Sequence, residues 1–77
     1  MDATKKVGEN IRLIRKQRAM SQLVLATKIG SAQRYIGEIE RGLKSPTIRI
    51  LTRIANALNV PLEELVKQRK EDENADR

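Results

Sequence analysis

A short polar segment in the middle of the chain carries side chains that can hydrogen-bond to the edges of nucleic-acid bases. A glutamine amide pairs bidentately with adenine and an arginine guanidinium with guanine, so Gln33 and Arg34 are the first candidates for base reading. The Ala32 methyl group can touch the methyl group of thymine. Tyr35, the one aromatic residue of the chain, and Glu38 lie beside them. The alternative interpretation is that all five are solvated residues of a short surface helix.

Glu38 is the exception in this set, because DNA phosphates repel a carboxylate. A negative charge fits a DNA-facing surface if it accepts a hydrogen bond from cytosine. It also fits if it holds a neighbouring cation, Arg34 or Arg41, in place. The sequence leaves these two roles open.

Composition limits the remaining chemistry. The 77 residues include no Cys, His, Trp or Phe, which excludes a zinc finger, a disulfide framework, a histidine-based triad and a soft-metal site. Acid–base catalysis would have to use Glu or Lys, and no carboxylate pair or phosphate-binding glycine loop is evident. We therefore expect no enzyme activity, no cofactor, no metal and no small-molecule ligand. A single aromatic residue is also too few for a stacking platform that binds single strands.

Charge is distributed unevenly along the chain. Residues 5–53 hold 12 basic and three acidic groups, whereas six acidic and four basic groups follow from residue 54 onward, within a total of +6. A basic body favours a polyanionic partner such as nucleic acid, although a solvated basic surface has the same composition. The chain has no apolar run of the roughly 18 to 20 residues that span a bilayer, and no signal-peptide pattern. We expect a cytoplasmic protein without a membrane partner.

Apolar spacing predicts five short helices and no strand, which is an all-α fold. The first helix is expected over residues 5–18, with Thr4 as its N-cap. The second follows Ser21, another favoured N-cap, and ends at Gly30, because helices commonly close on a left-handed glycine.

The remaining three helices are predicted from the same kinds of residue. The third is expected over about residues 32–41, with Ser31 as a possible cap and Gly42 as its stop. The fourth follows Thr47, and the fifth begins near Pro61, whose fixed φ suits a first turn. The residues expected to face inward are Val7, Ile11 and Ile14, then Leu23, Leu25, Ala26 and Ile29, then Ile36 and Ile39, then Ile48, Leu51, Ile54, Ala55 and Leu58, and last Leu62, Leu65 and Val66.

The joint between the second and third helices has the pattern of a helix-turn-helix. Ala26 is small where the two helices would cross, Gly30 lies in the turn, and Ile36 and Ile39 anchor the next helix. Any packed helical hairpin can share part of this pattern. The combination with the flanking residues is what makes it specific.

With those flanking residues the chain resembles the Cro and phage-repressor type of helix-turn-helix regulator, the XRE family, from about residue 7 to residue 66. The matching residues are Ile14-Arg15, Ser21-Gln22-x-x-Leu25-Ala26-x-x-Ile29-Gly30, Ile36-x-x-Ile39-Glu40-Arg41-Gly42, Pro46-Thr47 and Leu51-x-x-Ile54-Ala55-x-x-Leu58-x-Val60. Within this family, the small size, the basic body and the Arg34-Tyr35-Ile36 segment are similar to the controller regulators of restriction-modification systems. The resemblance implies a compact five-helix bundle and a sequence-specific regulator, such as a repressor, that binds double-stranded DNA.

The resemblance also implies roles for individual residues. The family's base-reading positions on the third helix correspond to Ala32, Gln33, Arg34 and Glu38, with Tyr35 beside them. Gln22 matches a residue that contacts the DNA backbone and braces the recognition helix. Further phosphate contacts are expected around the turn after the third helix, from Arg41, Lys44, Ser45 and Thr47. Arg15 and Glu40 are expected to pair with each other and to set the angle of the third helix.

A homodimer is expected, because a single core in a chain of this size supplies only a few kcal/mol. The interface candidates are apolar residues of the last two helices and the turn before them: Leu43, Ile50, Leu62 and Val66. We expect residues 1–67 to form the helix-turn-helix DNA-binding domain and residues 68–77 to form a charged, disordered tail. In such a dimer the two recognition helices read half-sites about 34 Å apart.

Two other functions remain open at this point. An antitoxin-like subunit, whose main partner is another protein and whose DNA binding is secondary, is supported by the exposed apolar residues and the acidic C-terminal segment. A nonspecific architectural DNA binder is disfavoured, because no apolar wedge or minor-groove arm is evident.

Overall fold

The computed structural model describes residues 3–68, and these form five helices: α1 (Ala3–Gln17), α2 (Gln22–Ile29), α3 (Gln33–Glu40), α4 (Ile48–Leu58) and α5 (Glu63–Val66). No strand occurs in this range. The prediction of an all-α, five-helix fold with a helix-turn-helix is confirmed. Residues 69–77, almost all of the predicted tail, lie outside the described residues. Within the described part of the chain, no helix is long and apolar enough to cross a membrane.

The first four helices end with the same backbone motif. One residue in the left-handed conformation follows each of them: Ala19 (φ 55°), Gly30 (φ 72°), Gly42 (φ 79°) and Asn59 (φ 61°). The N–H of the next residue donates to the carbonyl oxygen five residues earlier, at 2.8–3.0 Å, as in a Schellman motif. The predicted stops at Gly30 and Gly42 are confirmed. The ends at Ala19 and Asn59 are not marked by a glycine. The first lies within one residue of the predicted end at residue 18, whereas no end was predicted for the fourth helix.

The helix starts follow the predicted caps in two cases. The hydroxyl oxygens of Ser21 and Thr47 accept hydrogen bonds from the backbone N–H three residues later, at 3.0 and 3.2 Å. Thr4 is not the cap of α1, because the helix already includes it. The alternative cap at Ser31 is also wrong: Ala32 occupies the N-cap of α3 and makes no side-chain cap hydrogen bond.

The core lies where α3 packs against α1 and α2, and where α4 and α5 close the other side. Its buried apolar residues are Ile11, Ile14, Leu25, Ala26, Ile29, Ile36, Ile39, Leu51, Ile54, Ala55, Leu58 and Leu65. Three predicted core residues are wrong, since Leu23, Ile48 and Val66 are 57%, 68% and 49% exposed. Leu23 and Ile48 stand at the first turn of their helices, and Val66 is the last residue of α5. Periodicity places a residue around the helix axis, but it does not show where along the axis the neighbouring helices end.

A close approach between α1 and α3 depends on Gly8, a position that the apolar spacing of α1 does not mark. A Cβ at this position would overlap the carbonyl oxygen of Ile39 and lie 2.8 Å from that of Glu40. Both neighbours are backbone atoms, so only glycine allows the two helices to approach this closely. An isolated glycine inside a predicted amphipathic helix was the available sign.

Asn10 is the second unpredicted feature of α1. Its side chain is 1% exposed, and Nδ2 donates to the carbonyl oxygens of Leu65 (3.0 Å) and Lys67 (2.9 Å). These bonds satisfy carbonyl groups at the C-terminal end of α5, which a four-residue helix cannot satisfy internally. Asn10 therefore attaches α5 to α1.

Candidate nucleic-acid interface

α3 has two chemically different sides. Ile36 and Ile39 are buried against α1 and α2, while Ala32, Gln33 and Arg34 at its N-terminal end are exposed. The helix thus presents three of the predicted base-reading residues outward. How firmly these residues are held depends on the bonds of the opposite side.

A buried ion pair fixes the C-terminal end of α3. Arg15 Nε donates to Glu40 Oε2 at 2.7 Å, and Arg15 Nη2 donates to Glu40 Oε1 at 3.0 Å. The side chains are only 8% and 2% exposed, and Arg15 Nη1 also donates to the carbonyl oxygen of Met20 at 2.8 Å. The pair expected between α1 and α3 is therefore present, with two parallel hydrogen bonds. It joins the end of α1, the turn that follows it and the end of α3.

Gln22, the first residue of α2, binds the same carboxylate. Its Nε2 donates to Glu40 Oε1 at 3.0 Å, so one acidic side chain holds both α1 and α2 against α3. The Gln22 amide and the Arg41 guanidinium also lie beside Gly37, each 3.7 Å from the place where a Cβ of that glycine would lie. Two of the predicted phosphate-binding side chains therefore lie on the same side of α3.

The outward side of α3 carries a second, looser ion pair. Arg34 Nε lies 3.4 Å from Glu38 Oε2, with the Arg34 side chain 88% exposed and that of Glu38 20% exposed. The contact with Arg34, one of the roles that the sequence left open for Glu38, is present. The cytosine contact stays a prediction. Tyr35 is half-buried and packs against the core, so its ring is less available than the three residues before it.

The turn after α3 exposes the other predicted phosphate-binding residues. Arg41, Lys44, Ser45 and Thr47 are all exposed, and Thr47 also caps α4. A Cβ on Gly42 would lie 3.2 Å from Lys5 Cα, so the first turn of α1 packs on this turn. Lys5 therefore lies beside the predicted phosphate-binding residues, a neighbour that sequence spacing could not show.

Several arginines of the basic body are used inside the fold. Arg18 Nε donates to the carbonyl oxygen of Leu58 at 2.9 Å, and Arg53 Nη1 donates to that of Ile29 at 3.4 Å. These carbonyls belong to the C-terminal ends of α4 and α2, where the helix dipole attracts cations. Together with Arg15, they are three of the 12 basic groups in residues 5–53 whose hydrogen bonds are internal. The formal charge therefore overstates the number of cations directed at a partner.

The predicted dimer residues differ in exposure. Leu43 and Val66 are exposed, whereas Ile50 and Leu62 are partly buried and pack against the core. Ile48, which was predicted to face inward, is exposed like Leu43 and Val66. An interface through these residues stays a prediction.

Comparisons with known proteins agree with the motif. The helix-turn-helix family matches residues 11–65. The HTH-type transcriptional regulator y4dJ of Sinorhizobium fredii is 36% identical over 66 residues, 86% of either protein. The immunity repressor of Bacillus phage phi105 is 35% identical over 60 residues, which are 78% of this chain and 42% of the repressor. The chain thus spans less than half of that repressor.

Solved structures show the same fold. The restriction-modification controller protein C.AhdI of Aeromonas hydrophila superposes with a TM-score of 0.78 and 31% identity, over 80% of this chain and 94% of C.AhdI. Hydroxypropylphosphonic acid epoxidase of S. wedmorenis also matches, with a TM-score of 0.80 and 25% identity, but over only 35% of the epoxidase chain. This fold therefore also occurs as a minor part of an enzyme chain. The matched residues and the relatives place this chain in the helix-turn-helix family of HTH-type transcriptional regulators.

Proposed function

We propose that the chain is a sequence-specific, non-enzymatic regulator of transcription that binds double-stranded DNA as a homodimer and reads bases in the major groove with α3. The observation that supports this most directly is the exposed N-terminal end of α3, from Ala32 to Arg34, on a helix whose other side is held by Arg15, Gln22 and Glu40. A major groove about 12 Å wide accepts one such helix. Because the helix is held rigidly, its exposed side chains have defined positions relative to the base pairs.

Gln33 and Arg34 are the proposed base readers. Both are exposed, and their side chains can pair bidentately with adenine and guanine. Ala32 adds a methyl group that can contact thymine. Tyr35 lies too deep in the fold to be more than a flanking contact, since it packs against the core.

The proposed phosphate contacts come from both ends of the helix-turn-helix. Gln22 lies at the N-terminal end of α2, and Arg41, Lys44 and Ser45 are exposed around the turn after α3. Such contacts supply affinity and salt dependence, and they fix the protein on the duplex without selecting a sequence. Residues 1–67 then act as one DNA-binding domain.

The homodimer is supported by exposed apolar side chains outside α3, chiefly Leu43 and Val66, and by the partly buried Ile50 and Leu62. Two copies related by a two-fold axis would place two α3 helices on half-sites about 34 Å apart. The similarity to an immunity repressor and to a controller protein supports a regulatory role. Whether the dimer represses or activates depends on where its operator lies relative to a promoter.

The test is a selection of bound sequences from random double-stranded DNA. We expect a two-fold-symmetric consensus, and sedimentation of the complex should give two chains per duplex. Binding to the consensus and to a scrambled duplex is then measured at physiological salt. Equal affinity for the two duplexes would contradict sequence-specific recognition, and an asymmetric consensus bound by one chain would contradict the dimer.

A second candidate function is an antitoxin-like subunit whose main partner is a protein. It is favoured by two adjacent apolar side chains, Leu23 and Val24, which are exposed on α2 next to the reading helix. A stoichiometric protein partner that protects Arg34 from modification, together with weak operator discrimination, would support this candidate over the first.

A further inference from the structure

We infer that Glu38 is a positioning residue that aims Arg34 at a guanine and is not itself a base reader. The inference rests on the proposed reading of DNA by α3. It assigns the contact between these two side chains to specificity, with little effect on stability. Four properties of the contact support it: its geometry, its attachment to the backbone, the edge of the guanidinium that it occupies and its small contribution to the fold.

The two partners are anchored to very different degrees. The Arg34 side chain is 88% exposed, whereas that of Glu38 is 20% exposed and lies 3.4 Å from Arg34 Nε. The carbonyl oxygen of Glu38 accepts the N–H of Leu43 at 2.9 Å in the turn that closes α3, and the next residue, Ile39, is buried. The carboxylate therefore starts from a fixed part of the helix, and the guanidinium is the partner that it can orient.

The edge of the guanidinium that Glu38 occupies matters for base reading. Guanine presents two acceptors, O6 and N7, in the major groove, and an arginine meets them with two N–H groups. Because the Glu38 carboxylate lies against Nε of Arg34, the two terminal nitrogens remain available for this bidentate contact. An arginine restricted before binding also loses less conformational freedom on binding.

The pair contributes little that the fold requires. Ion pairs with a solvated partner such as Arg34 stabilise proteins weakly. On a helix the order acid before base is the more favourable one, which is the reverse of Arg34 and Glu38. A carboxylate on a DNA-facing surface also repels phosphates. A residue that weakens binding to all DNA while favouring the correct contact raises specificity.

The experiment compares the full-length chain with Glu38→Ala, Glu38→Gln, Arg34→Ala and the double variant Arg34→Ala/Glu38→Ala. The DNA is the selected operator, a set of operators with each base pair of the half-site changed in turn, and a scrambled duplex. Circular dichroism and thermal unfolding establish that each variant folds. Glu9→Gln serves as the matched control, because Glu9 is an exposed acid on α1 that pairs with Lys6 and lies on another helix.

The expected result has two parts. Glu38→Ala should bind the scrambled duplex several times more tightly than the unchanged chain. Its preference at one base pair should fall roughly fivefold to tenfold, and this should be the base pair where Arg34→Ala loses its preference. The base preference of Glu38→Gln should fall between those of Glu38→Ala and the unchanged chain. The double variant should match Arg34→Ala at that base pair. Glu9→Gln should leave every base preference unchanged.

Other results overturn the inference. If Glu38→Ala loses preference at a base pair that Arg34→Ala does not affect, Glu38 reads a base directly, as a cytosine contact would require. If no preference changes, the ion pair has no role in recognition. The proposed function fails separately, when the unchanged chain itself does not distinguish the operator from the scrambled duplex.

Discussion

Two Arg–Glu pairs involve residues of α3, and they differ in almost every physical respect. Arg15 and Glu40 are nearly buried and share two hydrogen bonds of 2.7 and 3.0 Å. Arg34 and Glu38 lie on the outward side, four residues apart, at 3.4 Å. The first pair joins residues 25 positions apart in the chain, whereas the second stays within one helix.

The difference in burial explains why the two Arg–Glu pairs are expected to have different roles. Charges removed from water must be paired completely, so the inner pair also uses Met20 and Gln22 to satisfy the remaining nitrogen and oxygen atoms. In the outer pair the Arg34 guanidinium remains solvated, so it can leave the carboxylate at little cost. The inner pair is therefore expected to set the position of α3, and the outer pair is expected to adjust one side chain on it.

The largest expected effect is the loss of the inner carboxylate. Glu40→Ala leaves the Arg15 guanidinium buried without its partner, and it should lower the free energy of unfolding by about 3 to 5 kcal/mol. Urea denaturation followed by circular dichroism at fixed protein concentration measures this change. If the variant does not fold, Glu40→Gln, which keeps the shape and loses the charge, supplies the measurement with a smaller loss.

A double-mutant cycle with Arg15→Met and Glu40→Ala then isolates the interaction itself. The coupling free energy should exceed about 1 kcal/mol, because the two residues share one hydrogen-bonded network. The same cycle on Arg34 and Glu38 should give a coupling near zero in stability. Equal coupling in the two cycles would mean that burial does not distinguish the pairs.

The second largest expected effect is the loss of stability when the close approach of α1 to the C-terminal end of α3 is blocked. Gly8→Ala forces a Cβ into the carbonyl groups of Ile39 and Glu40, and it should destabilise the protein by about 1 to 3 kcal/mol while also weakening operator binding. Gly37→Ala is the matched control, because its Cβ would meet only side-chain atoms at 3.7 Å or more. That variant should be more stable by about 0.5 to 1 kcal/mol, since alanine favours a helix over glycine. The reverse order of the two variants, measured by thermal unfolding, would contradict the packing described for α3.

The features predicted correctly from the sequence are mostly local ones. Helix ends at Gly30 and Gly42 and the caps at Ser21 and Thr47 follow from the conformations and hydrogen bonds that single residues favour. The pairing of Arg15 with Glu40 came from resemblance to a family, because spacing alone does not show which residues of α1 and α3 meet.

The features missed depend on how the helices are assembled. Gly8 matters only because a carbonyl of α3 approaches it, and Asn10 only because α5 ends beside it. Arg18 and Arg53 looked like cations for a polyanion until α4 and α2 placed carbonyl oxygens next to them. The exposure of Ile48 has the same origin, since its environment depends on the neighbouring helices.

The third effect appears in binding and not in folding. Arg34→Ala should lower the preference for one base pair by about 1 to 3 kcal/mol and leave the free energy of unfolding nearly unchanged, because the side chain is exposed. Lys44→Ala, the matched control on the turn after α3, should weaken binding to the operator and to scrambled DNA alike. It should also reduce the slope of log K against log salt concentration by about one unit. Equilibrium titrations at several salt concentrations measure both. A uniform loss from Arg34→Ala would make it a phosphate contact.

The smallest effect is the stability lost with the outer carboxylate. Glu38→Ala should change the free energy of unfolding by less than about 0.5 kcal/mol. An ion pair whose arginine is solvated stabilises the fold only weakly, and alanine is the better helix former. The small change should shrink further in high salt, since exposed charges are screened over about 10 Å at moderate ionic strength. Glu40→Ala, measured beside it, should keep most of its loss in high salt, because a buried pair is screened much less. A loss at Glu38 comparable to that at Glu40 would show that the outer pair also positions α3, and its effect on base preference could then no longer be assigned to Arg34 alone.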